Sequence, residues 1–506
     1  MKLRNFEQLL PWLIVALAFF LRIWRAESLF PFTMDEEYQA FLAKNIIEGK
    51  HFPLIGVNVA DTGLYLGPFF TYFSVIPYLL FGPSPIGGAL FSALFGGLTV
   101  YFLIKTGETI NKPVGLLAGL LSSVSFLSNA YDRKFWNPSL VPLLTILLML
   151  ALLKVKNNPR WWLVIFLVFG LAFHTHYSLF ALLPVAIYFL WKNKIKLGNP
   201  WFKGGLLIFF FCLLPLIVFD LRHNFTNARA LGKIVSKPEI GRASYEAVPK
   251  TELFLNTLSR AIYVPGPHDL AREIVSCATL KRSLPYYPLG LILILGLFFL
   301  SLSTKGFKEK ALLQLLLGSF LSFTIFLLIY PRVWAEYYFL PLLPLSFLVL
   351  AWIFEKLMVK MSFYPRMIIA AGLLGLMIYN TISVVWMTNS FGLDVKRQLI
   401  GWSAKQIGDD QYSLDSVGSC YKFEGYRYLF TAFFKPPITS YVDPYFSWLY
   451  PDIKNTNFSS QRNVVIWNSL NDTGVKEDKE WNQWLTMAAK KRIIANFGAM
   501  KVLIKQ

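Results

Sequence analysis

Cysteine is nearly absent from this chain. Three occur in 506 residues, Cys212, Cys277 and Cys420, and none has metal-type spacing. Cys277 and Cys420 both fall on the side read below as outer, which leaves a disulfide between them open. Charge is also scarce. Only 15% of the residues are Asp, Glu, Lys or Arg, where a soluble domain carries about a quarter. Acids are fewer than bases, 29 against 49, for a net charge of +20. That excess does not imply nucleic acid, because no block of basic residues is interleaved with aromatics as a nucleic-acid groove requires. No small-residue cleavage site follows the first apolar run. The N-terminal MKLRNFEQLL therefore leads into a retained first span and not a removed signal.

Apolar residues are abundant instead, at 55% hydrophobic and 17% aromatic. They come in blocks of roughly 17–22 residues, the length that crosses about 30 Å of hydrocarbon. The chain is a polytopic membrane protein, and membrane lipids are its first partners. Lys2 and Arg4 precede the first span, Leu9 to Trp24, and favour an inside N-terminus. The stretch Gly67–Phe81 is apolar but short and carries Pro77. Reading it as an interfacial helix puts nearly every later Lys-rich loop inside, among them Lys105 with Lys112, Lys154 with Lys156, and Lys192 with Lys194. Reading it as a span inverts all later helices and breaks the positive-inside rule. The charge pattern thus predicts about eleven transmembrane helices, N-terminus cytoplasmic, over residues 1–388. Outer loops lie at 25–84 and 222–285.

From residue 389 to 506 the composition becomes that of a soluble domain. Helical patterns at Val395–Gly408 and Phe423–Phe434 and strand patterns at Val464–Trp467 and Met500–Ile504 predict a small α/β extracytoplasmic domain. It carries no recognisable catalytic motif. Asn224, Asn457 and Asn471 begin glycosylation sequons on the predicted outer side.

The candidate polar residues all fall at the outer boundary, and ionisable residues at membrane depth are by default functional. The first is Thr33-Met34-Asp35-Glu36-Glu37-Tyr38, after the first span. Tyr38, Phe41, Leu42 and Ile46 recur at helical spacing, and Gly49 can end the helix. That predicts a short helix along the membrane surface with Asp35 as N-cap and Glu36 and Glu37 in the first turn. The helix dipole favours an ionised Asp35, free to accept a proton, whereas Glu37 reads as a surface charge. Arg133 and Lys134, beside Trp136, could hold a phosphate, or else snorkel at the interface. Arg332 precedes Glu336 and could pair with it locally. His174 and His176 stand two apart with no nearby carboxylate, which favours hydrogen bonding over metal.

The ordered set of segments resembles the GT-C glycosyltransferases. MDEEY in the first outer loop, LGPFFTYF after it, NAYDRKFWNPSLVPLL after span 3, FHTHYSLFALLP after span 5 and VWAEYYFLPLLPL before span 10 are similar to segments of the dolichyl-phosphate-mannose–protein mannosyltransferase family and of bacterial lipid A aminoarabinose transferases. The likeness covers about residues 1–390. It implies transfer, with inversion, of a sugar from a polyprenyl-phosphate donor to an acceptor hydroxyl on the outer face of the cell membrane. The acceptor is a protein, lipid or glycan. The resemblance makes Asp35 the base and Glu36 its helper. Arg133, Lys134 or Arg332 neutralises the departing phosphate, and Asp61, Tyr65, His176, Glu336 and Tyr337 bind substrate. No metal ligands are assigned. The stretch from Asp61 to Pro68 departs from relatives with a His- or Glu-containing element there, so a divalent metal is left open as a cofactor. The alternative is a transporter or flippase, which would place ionisable residues near the midplane and often show inverted repeats. Neither is visible.

Overall fold

The computed structural model describes residues 2–59, 62–236, 249–266, 268–274, 287–304, 306–330, 334–418, 422–450, 460–468 and 492–505. Asp61, Arg332, Cys277, Cys420, Asn457 and Asn471 lie outside the described residues.

Among the described residues, six helices are long and apolar enough to cross a membrane: Ile86–Gly107, Asn137–Lys154, Pro200–Arg222, Glu309–Ile329, Leu342–Lys360 and Phe363–Val385. Shorter apolar helices, Gln8–Ile23, Lys112–Val124, Trp161–Ala172, Tyr177–Lys192 and Pro288–Ser303, stand where the remaining predicted spans fall. Gly67–Phe81 yields a helix of 13 residues, Phe69–Phe81. The protein is a multi-pass membrane protein built mainly of helices.

The predicted third span is broken. Lys112–Val124 stops at Ser125, whose backbone turns out to ψ 124°. Its hydroxyl donates to the Ala261 carbonyl at 2.9 Å. A short helix, Phe126–Tyr131, then redirects the chain and delivers Asp132, Arg133 and Lys134. Asp132 meets Arg22 of the first helix at 2.6 Å in a buried ion pair. Gly96 makes room for it, since a Cβ there would lie 2.2 Å from Arg22 Nε and 2.5 Å from the Asp132 carboxylate.

The C-terminal part forms a five-stranded mixed sheet. Its strands are β1 (Tyr412–Val417), β2 (Thr439–Ser440), β3 (Arg462–Asn468), β4 (Arg492–Phe497) and β5 (Met500–Lys505). They lie in the order β2-β1-β3-β5-β4. β1 runs parallel to both neighbours, and β5 is antiparallel to β3 and β4. Helices Leu393–Ile407 and Tyr426–Phe433 complete it. β1 was not legible in the sequence because Ser416 takes a buried position where an apolar residue would continue the alternation of Tyr412 and Leu414.

This domain is not an appendage. One continuous apolar core runs from the helical part into it, from Leu29, Phe32 and Phe41 to Tyr428, Phe430 and Tyr450. Burying these faces excludes water along the whole junction and favours a fixed orientation.

Candidate active site

The helix that organises the site is Met34–Ile47. Thr33, extended at φ −99°, is its N-cap, one place before the helix begins. Glu36 accepts from the Thr33 N–H at 2.8 Å and from its hydroxyl at 2.6 Å, which satisfies donors that a helix start leaves open. This corrects one expectation: Asp35 is not the N-cap but the second residue of the first turn. Glu36 caps the helix through one oxygen, and its other oxygen is without a partner in the structure. Gly49, at φ +71°, follows the last turn as expected.

The helix is not left exposed. Glu36, Glu37, Gln39, Ala40, Phe41, Leu42 and Ala43 are all buried, because the C-terminal domain covers it. The Met34 N–H donates to the Phe423 carbonyl at 2.9 Å. Phe41 packs on Tyr428 and Tyr450, with ring centroids 5.2 and 4.8 Å apart. Asn45 donates to the Leu449 carbonyl at 2.7 Å. Glu37 is no surface charge: it is fully buried, and its carboxylate accepts from the Tyr428 N–H at 2.8 Å. Burial pushes its carboxyl up to about 7, against the opposing pull of that hydrogen bond and of Arg427 and Lys396.

Just before the helix, Phe32 adopts a left-handed backbone, φ +47°, which costs a bulky residue about 1–3 kcal/mol. Lys396 holds it there. This fully buried ammonium donates to the Pro31 carbonyl at 2.6 Å, to Phe32 at 3.0 Å and to Glu424 at 2.7 Å. The C-terminal domain therefore sets the chain path that aims Asp35.

Asp35 is partly exposed and faces two cavities. The larger, about 690 Å³, lies against the C-terminal domain and is lined by Tyr38, Phe52, Asn58, Tyr65, Phe219 and Trp448 among others. The smaller, about 250 Å³, is walled by helix ends of the membrane part, with Trp136, Asn137, His176, Ser178, Trp334 and Tyr337. Among the described residues Asp35 is the one carboxylate lining either cavity, and it lines both. Desolvation by burial raises its carboxyl, Lys134 opposes that, and Glu36 adds to it. The expected depression by the helix dipole is thus overruled by burial. A raised carboxylate is a stronger proton acceptor while it remains ionised.

The basic candidates separate. Lys134 is buried, makes no ion pair with the described residues, and sits 4.1 Å from the centroid of the Trp136 ring. Arg133 turns the other way. Its guanidinium donates to the Leu21 carbonyl at 2.7 Å and Trp24 at 3.0 Å, satisfying the open C-terminal carbonyls of the first helix. Arg133 does not line either cavity beside Asp35. Glu336 pairs with Arg260 Nε at 2.8 Å and accepts from the Tyr131 hydroxyl at 2.9 Å; the expected pair with Arg332 lies outside the described residues.

His176 and Tyr337 come together with ring centroids 5.4 Å apart, and Tyr337 stacks edgewise on Trp136 at 4.8 Å. His176 Nδ1 accepts from the Ser178 N–H at 3.2 Å, and burial lowers the imidazole to about 4, so it is neutral. His174 is structural: Nδ1 accepts from the Phe69 N–H at 3.2 Å, which leaves Nε2 to donate to the Cys212 carbonyl at 2.7 Å. Among the described residues no group of three His, Cys, Asp or Glu could hold a metal. The sequence reading missed Phe52, Asn58, Tyr445 and Trp448. The aromatic density of Asp443-Pro444-Tyr445-Phe446-Ser447-Trp448 was the available signal.

Comparison with known proteins agrees with this architecture. ArnT from Cupriavidus metallidurans bound to undecaprenyl phosphate matches with a TM-score of 0.61 and 10% identity, over 97% of each chain. Its apo state matches with a TM-score of 0.54 and 11% identity, again over 97% of each. An oligosaccharyltransferase from Archaeoglobus fulgidus matches over 90% of this chain and 67% of its own, with a TM-score of 0.47 and 13% identity. No curated protein matches the sequence. The fold is ArnT-like. Residues 66–219, under a third of the chain, match the family model described as dolichyl-phosphate-mannose-protein mannosyltransferase. That segment begins beyond Asp35.

Proposed function

We propose that the protein transfers a sugar from a polyprenyl-phosphate donor to an acceptor hydroxyl, with inversion, on the outer face of the cell membrane. One observation carries the reading: among the described residues a single carboxylate, Asp35, lines two cavities. The smaller cavity, walled by helix ends, suits a donor whose prenyl tail stays among the spans while its sugar phosphate meets the polar boundary. The larger, beneath the C-terminal domain, suits the acceptor. ArnT, which shares the fold, binds undecaprenyl phosphate.

The chemistry follows from the charges. Asp35 takes the proton from the acceptor hydroxyl as its oxygen attacks the sugar carbon bonded to phosphate. The carbon–oxygen bond to the lipid phosphate breaks, and the phosphate leaves with the electron pair. Lys134, behind Trp136, offsets the charge that grows on it, an interaction stronger in the transition state than in the ground state. One displacement at one carbon inverts it, whereas retention would need a second carboxylate as nucleophile. Tyr65, His176 and Tyr337 border the reacting groups. A cytoplasmic N-terminus and eleven spans put this site outside, as the loop charges require.

Asp35→Asn keeps the size of the side chain and removes the base. Purified variant should fold as wild type and lose transfer from a polyprenyl-phosphate sugar by about 10²-fold or more, the scale of general-base catalysis. Full retained transfer overturns the assignment.

A further inference from the structure

The larger cavity differs in chemistry from a site for a phosphorylated acceptor. Among the described residues that line it there is no Lys and no Arg. An anion moved into it would lose its water without gaining a cation, and would lie beside the Asp35 carboxylate, which repels it. The walls are aromatic instead. At the mouth Phe52 is 61% exposed, Tyr445 55% and Trp448 52%. These rings are not covering core, yet they are held in place. Trp448 meets His51 at 5.8 Å and Tyr38 at 6.3 Å between ring centroids. The turn that carries it is tied to the site helix through Asn45 and the Leu449 carbonyl. Between the rings stand polar donors and acceptors, the His51 and His223 imidazoles among them, with Asn58 on the border of both cavities.

We infer that this cavity receives a neutral saccharide as acceptor, stacked on the aromatic mouth with one hydroxyl reaching Asp35. Sugar rings present apolar C–H faces and a rim of hydroxyls. The first suit Trp448, Tyr445 and Phe52, and the second suit Asn58, Tyr38 and the imidazoles. The cavity, at about 690 Å³, falls within the usual 300–1,000 Å³ of ligand pockets. The wall formed by residues 444–448 makes the C-terminal domain a specificity element and not only a support. The inference rests on the acceptor role given above to the larger cavity.

The test uses the full-length protein in detergent. Neutral mono- to tetrasaccharides of glucose, galactose, mannose and N-acetylglucosamine are titrated while tryptophan fluorescence is recorded, alongside the same sugars carrying a phosphate. At least one neutral sugar should bind about tenfold or more tighter than its phosphorylated counterpart. Trp448→Ala and, separately, Tyr445→Ala should each weaken it about tenfold, read by calorimetry so that the lost fluorophore does not matter. Equal or tighter binding of the phosphorylated sugar, unchanged binding in both variants, or no neutral sugar bound at millimolar concentration overturns the inference. Undecaprenyl phosphate titrated into the same wild-type sample tests the donor reading by itself. If it binds while the sugars do not, only the acceptor inference falls. If it does not bind, the donor assignment falls.

Discussion

Replacing Glu37 by Gln should make the protein more stable at pH 8 and leave it nearly unchanged at pH 5. Glu37 is buried between the site helix and Tyr428, with one oxygen bonded to the Tyr428 N–H and its other oxygen without a partner in the structure. Its carboxyl is raised from 4.5 to about 7. Between those values the folded protein holds a proton that the unfolded chain has released. By linkage, the stability contributed by the protonated group is fully present below about 4.5 and is lost as pH rises through 7. At about 1.4 kcal/mol per pKa unit, the loss above pH 7 is ~3 kcal/mol. Gln resembles the protonated acid. It keeps an acceptor for Tyr428 and carries no charge to desolvate. The difference in apparent melting temperature, variant minus wild type, should therefore lie near zero at pH 5 and climb to several degrees at pH 8. Other buried groups, Lys396 and Glu424 among them, titrate in both proteins and largely cancel in that difference. A difference that is flat from pH 5 to 8, or a variant less stable at pH 8, would refute the reasoning.

Three further outcomes are expected. Lys134→Gln removes the cation that opposes the rise of the Asp35 carboxyl; the acid limb of the pH–rate profile should move to higher pH, and undecaprenyl phosphate should bind about tenfold or more weakly, both measurable on purified enzyme. Gly67→Ala would set a Cβ 2.1 Å from His174 Nδ1; because that ring is fixed by bonds at both nitrogens, the change should cost about 1–3 kcal/mol and appear as a lowered melting temperature and yield. Lys396→Met strands the buried Glu424 carboxylate and two carbonyls, a loss of about 3–5 kcal/mol; limited proteolysis should then cut near residues 386–392, and adding Glu424→Leu should restore part of the protection.

The helices were legible in the sequence because a membrane span is a local property. A window of apolar residues bounded by Lys or Arg is helical and buried in lipid whatever the rest of the chain does. The boundary at Ser125 was less visible, since the hydroxyl bond that stabilises the break reaches Ala261, far along the chain. Gly49 could be read as a stop, but the start was misplaced by two residues. Both Thr33 and Asp35 are good caps, and only the backbone at Thr33 decides between them.

For the site, the sequence by itself marked Asp35, and Arg133, Lys134 or Arg332, because their types and neighbours fit a base and an anion-neutralising cation. The tertiary structure decided how those residues divide their work. Arg133 and Lys134 are adjacent in the chain, yet one closes the end of the first helix and the other stays unpaired among the described residues beside Trp136. Glu36 and Glu37 are adjacent too, and one caps the helix while the other is sealed by Tyr428. For Glu36 and Glu37, neighbouring side chains on a helix diverge by about 100°, so their surroundings come from whatever packs on each face. Here much of that packing is supplied by residues 393–450, more than 350 positions away. The burial that raises Asp35 and Glu37, and the aromatic wall opposite Asp35, exist only once that domain has docked.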